Sequence, residues 1–408
     1  MLLAKKIRLL PTPEQEILFW KSAGVARWSY NYYLGKQKEQ YKLWQSSEKE
    51  CKKRLKEREI RKEINNVLKP TTHQWLKEVG SNVMKQAVKE ADKAFKKFLK
   101  GDGGFPKFKT KRKTKPSFYV NYESLKAKNG GFHGEKIGFV RTSEPMPRCP
   151  KDKKYSNPWI SFDGKYWYLS VGFEQWQRDV KLNDEESIGI DLGLKKLATC
   201  YMAKSKKSMI FKNINKTQTV RRIKKRLRRE QRKHSRKIKA KIDHYKQVVK
   251  GGQVVGRKPI FNCSLPDCKN LEKQRRKIAL INRRLTNIRQ NYLHQTTTAI
   301  VKTKSSRIVI EDLNIKGMMK NKHLSRSIKE AKFHEFRRQL EYKTKRYGIE
   351  LVVADRFYPS SKTCFSCGYI KKELKLKDRT YVCPHCGATI DRDLNAAMNL
   401  ATYNQKVS

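Results

Sequence analysis

Long apolar runs are missing from this chain: no window of its 408 residues approaches the roughly 18 consecutive apolar residues that a membrane-spanning helix requires. The opening MLLAKKIRLLPTPEQ has no apolar core of the signal-peptide kind, so the protein is expected to stay in the cytoplasm, without a membrane partner. Acids are scarce too, 38 against 96 Lys and Arg, for a formal charge of +58 spread along the whole length. A polyanion partner is the economical explanation. The nine cysteines are odd in number, and four fall in two CxxC pairs near the C-terminal end, which argues against a disulfide framework and for metal binding in a reducing compartment. The hydrophobic fraction of 37% is low but exceeds that of a disordered chain, and the length suits two or three domains.

Residues 3 to 9 read as a short strand, after which Thr12, Pro13 and Gln15 form a capping box for a long helix to about Trp44. Trp20, Trp28, Tyr30, Tyr33, Tyr41 and Trp44 on that helix fit a core stripe better than a base-stacking surface. A Lys/Glu-rich helix from about Ser47 to Leu68 and an amphipathic one from Thr72 to Lys100 should follow, with Val79, Val83, Ala87, Ala91 and Phe95 at helical spacing. From Pro116 to Gln175 the runs SFYVNY, KIGFVRT and PWISFDGKYWYLSVGF are strand-like, the last with Asp163-Gly164 as a two-residue turn. Because one strand precedes the helices and the rest follow, residues 10–112 read as a helical lobe inserted into a β-domain.

A third unit opens with the strand SIGID, a Gly193 turn and the strand LATCYM, and continues with RIVIE (307–311) and IELVVAD (349–355). Between them, basic helical stretches at about 217–249 and 270–304 suggest a helical hairpin with a long tip, and the run RRIKKRLRREQRKHSRK reads as phosphate-binding. Cys263 and Cys268, spaced C-x4-C without further partners, read as free thiols.

Cys364-x2-Cys367 and Cys383-x2-Cys386 match a four-thiolate tetrahedral site, with Gly368 and Gly387 allowing the tight knuckles; a filled site of this kind is a structural zinc ribbon. Asp191 and Glu311 each end an apolar strand, and Asp393 lies at the start of the last helix in DRDLNAAMNL. Between Leu192 and Ile310 the only acids are Glu230, Asp243, Asp267 and Glu272, so carboxylates at strand ends stand out. Singly they read as turn, salt-bridge or helix-capping residues. Together they suit Mg²⁺ or Mn²⁺, whose oxygen ligation by shared carboxylates supports two-metal phosphodiester hydrolysis.

GIDLGLKKLAT, IVIEDLNIKGM, FYPSSKTCFSCG, YVCPHCG and DRDLNAAMNL together resemble the TnpB nucleases of bacterial insertion sequences, relatives of type V CRISPR effectors, and the likeness extends over nearly the whole chain. That resemblance implies a multidomain α/β protein. Its parts would be a β-barrel wedge domain (1–9 and 113–182), a helical recognition lobe (10–112), an RNase H-like (RuvC) nuclease domain (183–360 and 391–408) with a basic hairpin at 217–304, and a zinc ribbon (361–390). It also implies that Asp191, Glu311 and Asp393 are the catalytic acids, with Asp391 supporting them from outside the metal's own ligands. The implied partners are a guide RNA from the transposon end and double-stranded target DNA, beside a short motif contacted by Ser81, Lys85 and Gln86. The tip around 249–270 is longer than a compact member of that family would carry. Other readings are a guided repressor that no longer cuts, a strand-joining transposase, and a ribosome-type RNA-binding protein; the last explains the charge but not the acids.

Overall fold

The computed structural model describes residues 2–47, 51, 53–150, 152–175, 180–250, 253–264, 268–375 and 378–403. These fall into two units, Met1–Gln175 and Trp176–Ser408.

In the first unit, β1 (Leu2–Leu10) leads into α1 (Pro13–Ser46). The capping box forms as the residue types require: Gln15 N donates to Thr12 Oγ1 at 3.3 Å, and Thr12 N donates to Gln15 Oε1 at 3.1 Å. On α1, Tyr30 and Tyr33 are buried, while Trp20 is 41% exposed with its ring against Trp167. The next stretch is helical only over α2 (Glu57–Glu63) and a π-turn at Ile64–Leu68; residues 48–50 and 52 of the expected helix lie outside the described residues. The stretch expected from Thr72 begins as a 3-10 turn, Gln74–Glu78, and becomes regular only as α3 (Ser81–Leu99). Gly80, with ψ at 136°, breaks the helical path between them. Val79, Val83, Ala87, Ala91 and Phe95 are all buried.

The remaining strands of this unit are β2 (Ser117–Tyr119), β3 (Lys126–Lys128), β4 (Gly131–Gly134), β5 (Gly138–Thr142), β6 (Ser156–Phe162) and β7 (Trp167–Glu174), in the order β2-β6-β7-β1-β5-β4-β3. The first strand of the chain therefore sits in the middle of a sheet completed after the helices. The β6–β7 turn is shifted by one residue from the expected one: Asp163 N donates to Tyr166 O, so Gly164 and Lys165 are the turn residues, and Gly164 takes φ +98°, which glycine adopts without strain. β3 and β4 escape a pattern search because they are very short, β3 being an exposed Lys-Ala-Lys and β4 having glycine at both ends.

The second unit runs β8 (Asn183–Leu192), β9 (Lys196–Met202), β10 (Ser208–Lys212), α4 (Gln218–Lys239), β11 (Ile242–Lys250), β12 (Gln253–Phe261), α5 (Lys269–Val301), β13 (Ser305–Glu311), α6 (Ile315–Met318), α7 (Ser325–Ala331), α8 (Phe333–Tyr347), β14 (Glu350–Ala354), β15 (Thr380–Val382), β16 (Thr389–Asp391) and α9 (Arg392–Ala401). Its main sheet has the order β10-β9-β8-β13-β14, antiparallel among the first three strands and parallel from β8 to β14. Ile188, Ile190, Ile308 and Ile310 fill the core beneath Phe333, Phe336 and Leu340 of α8. Val220, Ile223 and Leu227 of α4 pack on Ile281 and Leu285 of α5, which leaves the Arg and Lys side chains of α4 other than Lys224 exposed on its outer face.

One expectation fails here. The basic helix does not reach residue 249 but ends at Lys239, and residues 242–250 and 253–261 pair as a two-stranded antiparallel ribbon. Ile242, Tyr245, Val248, Val249, Val254 and Val255 favour extended backbone, and the Gly251-Gly252 pair of the sequence disfavours a helix between them.

Candidate functional site

Two clusters of chemically distinctive side chains, one of thiols and one of carboxylates, occur in the second unit. In the first, the thiols of Cys364, Cys367, Cys383 and Cys386 lie within 4.8 Å of one another. Cys364 and Cys386 sulfurs are 3.7 Å apart and Cys367 and Cys383 sulfurs 3.6 Å, close to the edge of about 3.8 Å expected for a tetrahedron with zinc–sulfur arms of about 2.3 Å. Each knuckle is closed by a glycine in left-handed backbone: Gly368, φ +78°, donates to Cys364 O, and Gly387, φ +70°, to Cys383 O. Buried Tyr381 backs the cluster, its hydroxyl donating to Lys362 O. The cluster can bind a metal ion. Cys263 and Cys268 form a separate pair of thiols, 3.3 Å apart.

The second cluster is carboxylate. Ile190 and Ile310 are opposite each other in the parallel pairing of β8 with β13, so Asp191 and Glu311 take the next positions on neighbouring strands, roughly 5 Å apart in backbone. Asp393 comes from the first turn of α9. That helix reaches the sheet because β8 has no side chain at Gly189: a Cβ there would stand 2.0 Å from Ala397 O and 2.2 Å from Ala401 N. Burial pushes the Asp191 carboxyl well above the ordinary carboxylate range, with Glu311 and Asp393 adding repulsion and Arg392 and Lys196 opposing it. Glu311 is raised too, by burial and then by Asp393, while a hydrogen bond from the Ser360 hydroxyl and the charge of Arg392 pull it down. Two buried acids that resist ionising, with the charge of Asp393 adding to the repulsion, are a site short of positive charge.

Asp391 has a different position. It caps α9, accepting from Leu394 N at 3.1 Å, and both its oxygens accept from Lys196 Nζ at 3.0 Å. The same ammonium stands 3.9 Å from Asp393. A cleft of about 510 Å³ opens beside Glu311, lined by Lys316, His334, Arg337, Arg338 and Arg356 among others. Asp312 is held between Arg337 and Arg356, and its hydrogen bonds from Arg356 keep its carboxyl below the usual range.

The two clusters are tied by side chains that a search for acids and cysteines overlooks. Asn395 Nδ2 donates to Thr363 O at 2.7 Å while its Oδ1 accepts from Phe365 N at 3.0 Å, and Asn399 Nδ2 donates to Ser360 O and Thr363 O. Both asparagines are buried on α9. They fasten the segment leading into the first CxxC to the helix that carries Asp393. The paired asparagines of DLNAAMNL, two turns of polar residue on an apolar helix face, were the available signal.

In the first unit, Ser81 and Lys85 are exposed on α3, and Gln86 is half-buried, donating to Glu90 at 3.0 Å. Gln86 also borders a cleft of about 350 Å³ with Tyr119 and Tyr122.

Three family models match parts of the chain: a "Helix-turn-helix domain" of the OrfB/IS605 kind over residues 1–45, an OrfB/IS605 "Probable transposase" over 257–322, and a "Cas12f1-like, TNB domain" over 333–400. A Streptomyces pristinaespiralis protein named "Putative RNA-guided DNA endonuclease" is 29% identical over 97% of this chain and 88% of its own length. An Escherichia coli K12 protein, "Putative RNA-guided DNA endonuclease InsQ", is 28% identical over 99% and 92%. In fold, the chain is similar to the protein of a Cas12f1–sgRNA–target DNA complex, with a TM-score of 0.53 at 13% identity and 98% of each chain covered. With relatives aligned along nearly its full length and family models matching near both ends, the chain is similar throughout to the TnpB-like proteins of the IS605 group.

Proposed function

We propose that this protein is an RNA-guided DNA endonuclease that cuts beside a short transposon-associated motif, using Asp191, Glu311 and Asp393 as its catalytic acids. The observation that carries the reading is the meeting of these three carboxylates, from two adjacent strand ends and one helix start, in a basic protein whose full-length relatives bear that name. The sheet order with its antiparallel and parallel halves supports an RNase H-like, RuvC-type nuclease domain over 183–360 and 391–408. Residues 361–390 are then its zinc ribbon, residues 1–9 and 113–182 the β-barrel wedge, and 10–112 the recognition lobe.

The donor chemistry fits the implied cations at both clusters. Four thiols at tetrahedral spacing suit Zn²⁺, and three oxygen donors, of which Asp191 and Glu311 are raised by burial and also by the charge of Asp393, suit Mg²⁺ or Mn²⁺. Bound there, such an ion supplies Lewis-acid polarisation of the phosphate and a water of lowered pKa. The chain's own residues do the rest. Ser360 orients Glu311 by hydrogen bonding, and Lys196 with Asp391 holds the start of α9 so that Asp393 faces the strand ends. Arg337, Arg338, Arg356 and Lys316 line the adjoining cleft and attract the phosphate backbone. Guide RNA and target duplex spread over the remaining basic surface, and Ser81, Lys85 and Gln86 touch the motif beside the target.

Cleavage of a guided duplex, followed on gels with and without Mg²⁺ and with the RNA that co-purifies, tests the reading. Guided cutting that a chelator stops is expected. Binding without cutting would turn it into a guided repressor, and joining of transposon ends would turn it into a transposase. Replacing Ser81, Lys85 and Gln86 together should alter motif preference in a randomised-library cleavage assay; an unchanged preference removes their assignment.

A further inference from the structure

The ribbon formed by β11 and β12 stands outside every role assigned so far. It lies in the long tip between α4 and α5, and its residues from Asp243 to Lys258 are, where described, exposed or nearly so on both faces. An isolated two-stranded ribbon is marginal in water. This one is also charged against itself: Lys246 stands directly opposite Lys258 in the ladder, a like-charge pair that opposes pairing. Among the described residues neither lysine has an ion-pair partner, and residues 242–261 hold four Lys or Arg against the single Asp243. A ribbon that repels itself and buries neither face is built to be completed by something anionic.

We infer that this ribbon is a docking arm for B-form duplex DNA, inserted into the major groove; this rests on the DNA-acting reading above and adds a contact surface to it. Shape selects the partner. Two strands about 5 Å apart, with side chains, match a groove about 12 Å wide that admits a β-ribbon, whereas the major groove of an RNA helix is too narrow and deep. The side chains divide accordingly. Gln247 pairs with Arg257 on one face, next to Tyr245 and Pro259, and amide and guanidinium groups are those that reach base edges. Lys246 and Lys258 occupy the other face, on stems long enough to reach phosphates of the groove walls. Nine-residue strands span about 30 Å, close to one helical turn of duplex.

The test is duplex binding by full-length protein carrying its co-purified RNA, over a salt series, with a guided and an unrelated duplex. The variants are Lys246→Ala/Arg257→Ala/Lys258→Ala and, as a charge-preserving partner, Lys246→Arg/Lys258→Arg. All these side chains are exposed, so folding should survive. The triple variant should bind duplex about tenfold or more weakly, with the log–log salt slope smaller by about 2 to 3, and the Arg variant should bind like wild type. RNA retention should not change. Wild-type affinity in the triple variant overturns the inference. So does a loss confined to RNA retention, which would make the ribbon an RNA contact, or a loss confined to self-association, which would make it an edge-pairing surface between copies. Guided binding that is normal in wild type separates these outcomes from failure of the endonuclease reading.

Discussion

The four thiols and the three carboxylates occupy neighbouring parts of the same unit, yet their physical circumstances are opposite. The thiols are spaced at tetrahedral edges by two glycine knuckles, and every position of that tetrahedron is taken. Asp191 and Glu311 are raised by burial and then by neighbouring acids, are partly offset by nearby positive charge, and adjoin an open basic cleft. A closed donor set makes a metal part of the fold. A repelling, open one spends stability on chemistry, which is why a strained site next to a rigid ribbon is a sensible arrangement.

The largest effect that would sharpen this contrast is on cutting. Asp191→Ala, Glu311→Ala or Asp393→Ala should each lower cleavage roughly 10³-fold or more, since each takes a ligand from the cation, while guide and target binding change by no more than about threefold. Gel cleavage and filter binding on one guided target decide it, and full cutting by any of the three removes that acid from the site. At the thiols, Cys383→Ser should instead release zinc and lower the melting temperature by about 10 °C or more, seen by elemental analysis and calorimetry; a wild-type protein without zinc breaks the comparison outright.

Smaller effects probe the link between the two clusters. Gly189→Ala must push α9 off β8 and should cost about 3 kcal/mol in denaturant unfolding, together with loss of cutting. Asp391→Ala removes a helix cap and the anchor of Lys196, so about 1 kcal/mol of stability and about tenfold in cleavage rate should go, with activity still measurable. If Asp391→Ala abolishes cutting and Asp393→Ala does not, the roles of the two aspartates are exchanged.

The smallest expected effect is one of pH. Asp191 and Glu311 hold protons to higher pH in the folded chain than in the unfolded one. Unfolding therefore releases protons, and metal-free stability falls as pH climbs from about 4 through the raised folded values. Asp191→Asn should flatten that decline and raise metal-free stability at neutral pH, and Mg²⁺ affinity of the wild type should tighten as pH rises because cation and proton compete. Thermal melts across pH, with and without Mg²⁺, check both. An Asn variant less stable than wild type at neutral pH would show that the carboxylates do not repel.

Patterns that act over a few residues were readable in the chain itself. The Thr12 capping box, the buried face of α3, the CxxC knuckles and the apolar strands around Asp191 and Glu311 all depend on local backbone preference and spacing. The excess of cations pointed to a polyanion without any fold. Where sequence reasoning went astray, the cause was a local signal too weak to compete: the basic composition around 240–249 suggested a helix, and β-branched residues on both sides of a glycine pair made a ribbon. The tertiary structure alone decided which distant residues meet. Gly189 reads as any glycine until α9 is seen lying on it, and Lys196 and Ser360 read as ordinary polar residues until strand order and helix packing bring them to the acids. Such contacts are set by the closing of long loops through the sheet, a property of the whole chain's packing that no window of sequence contains.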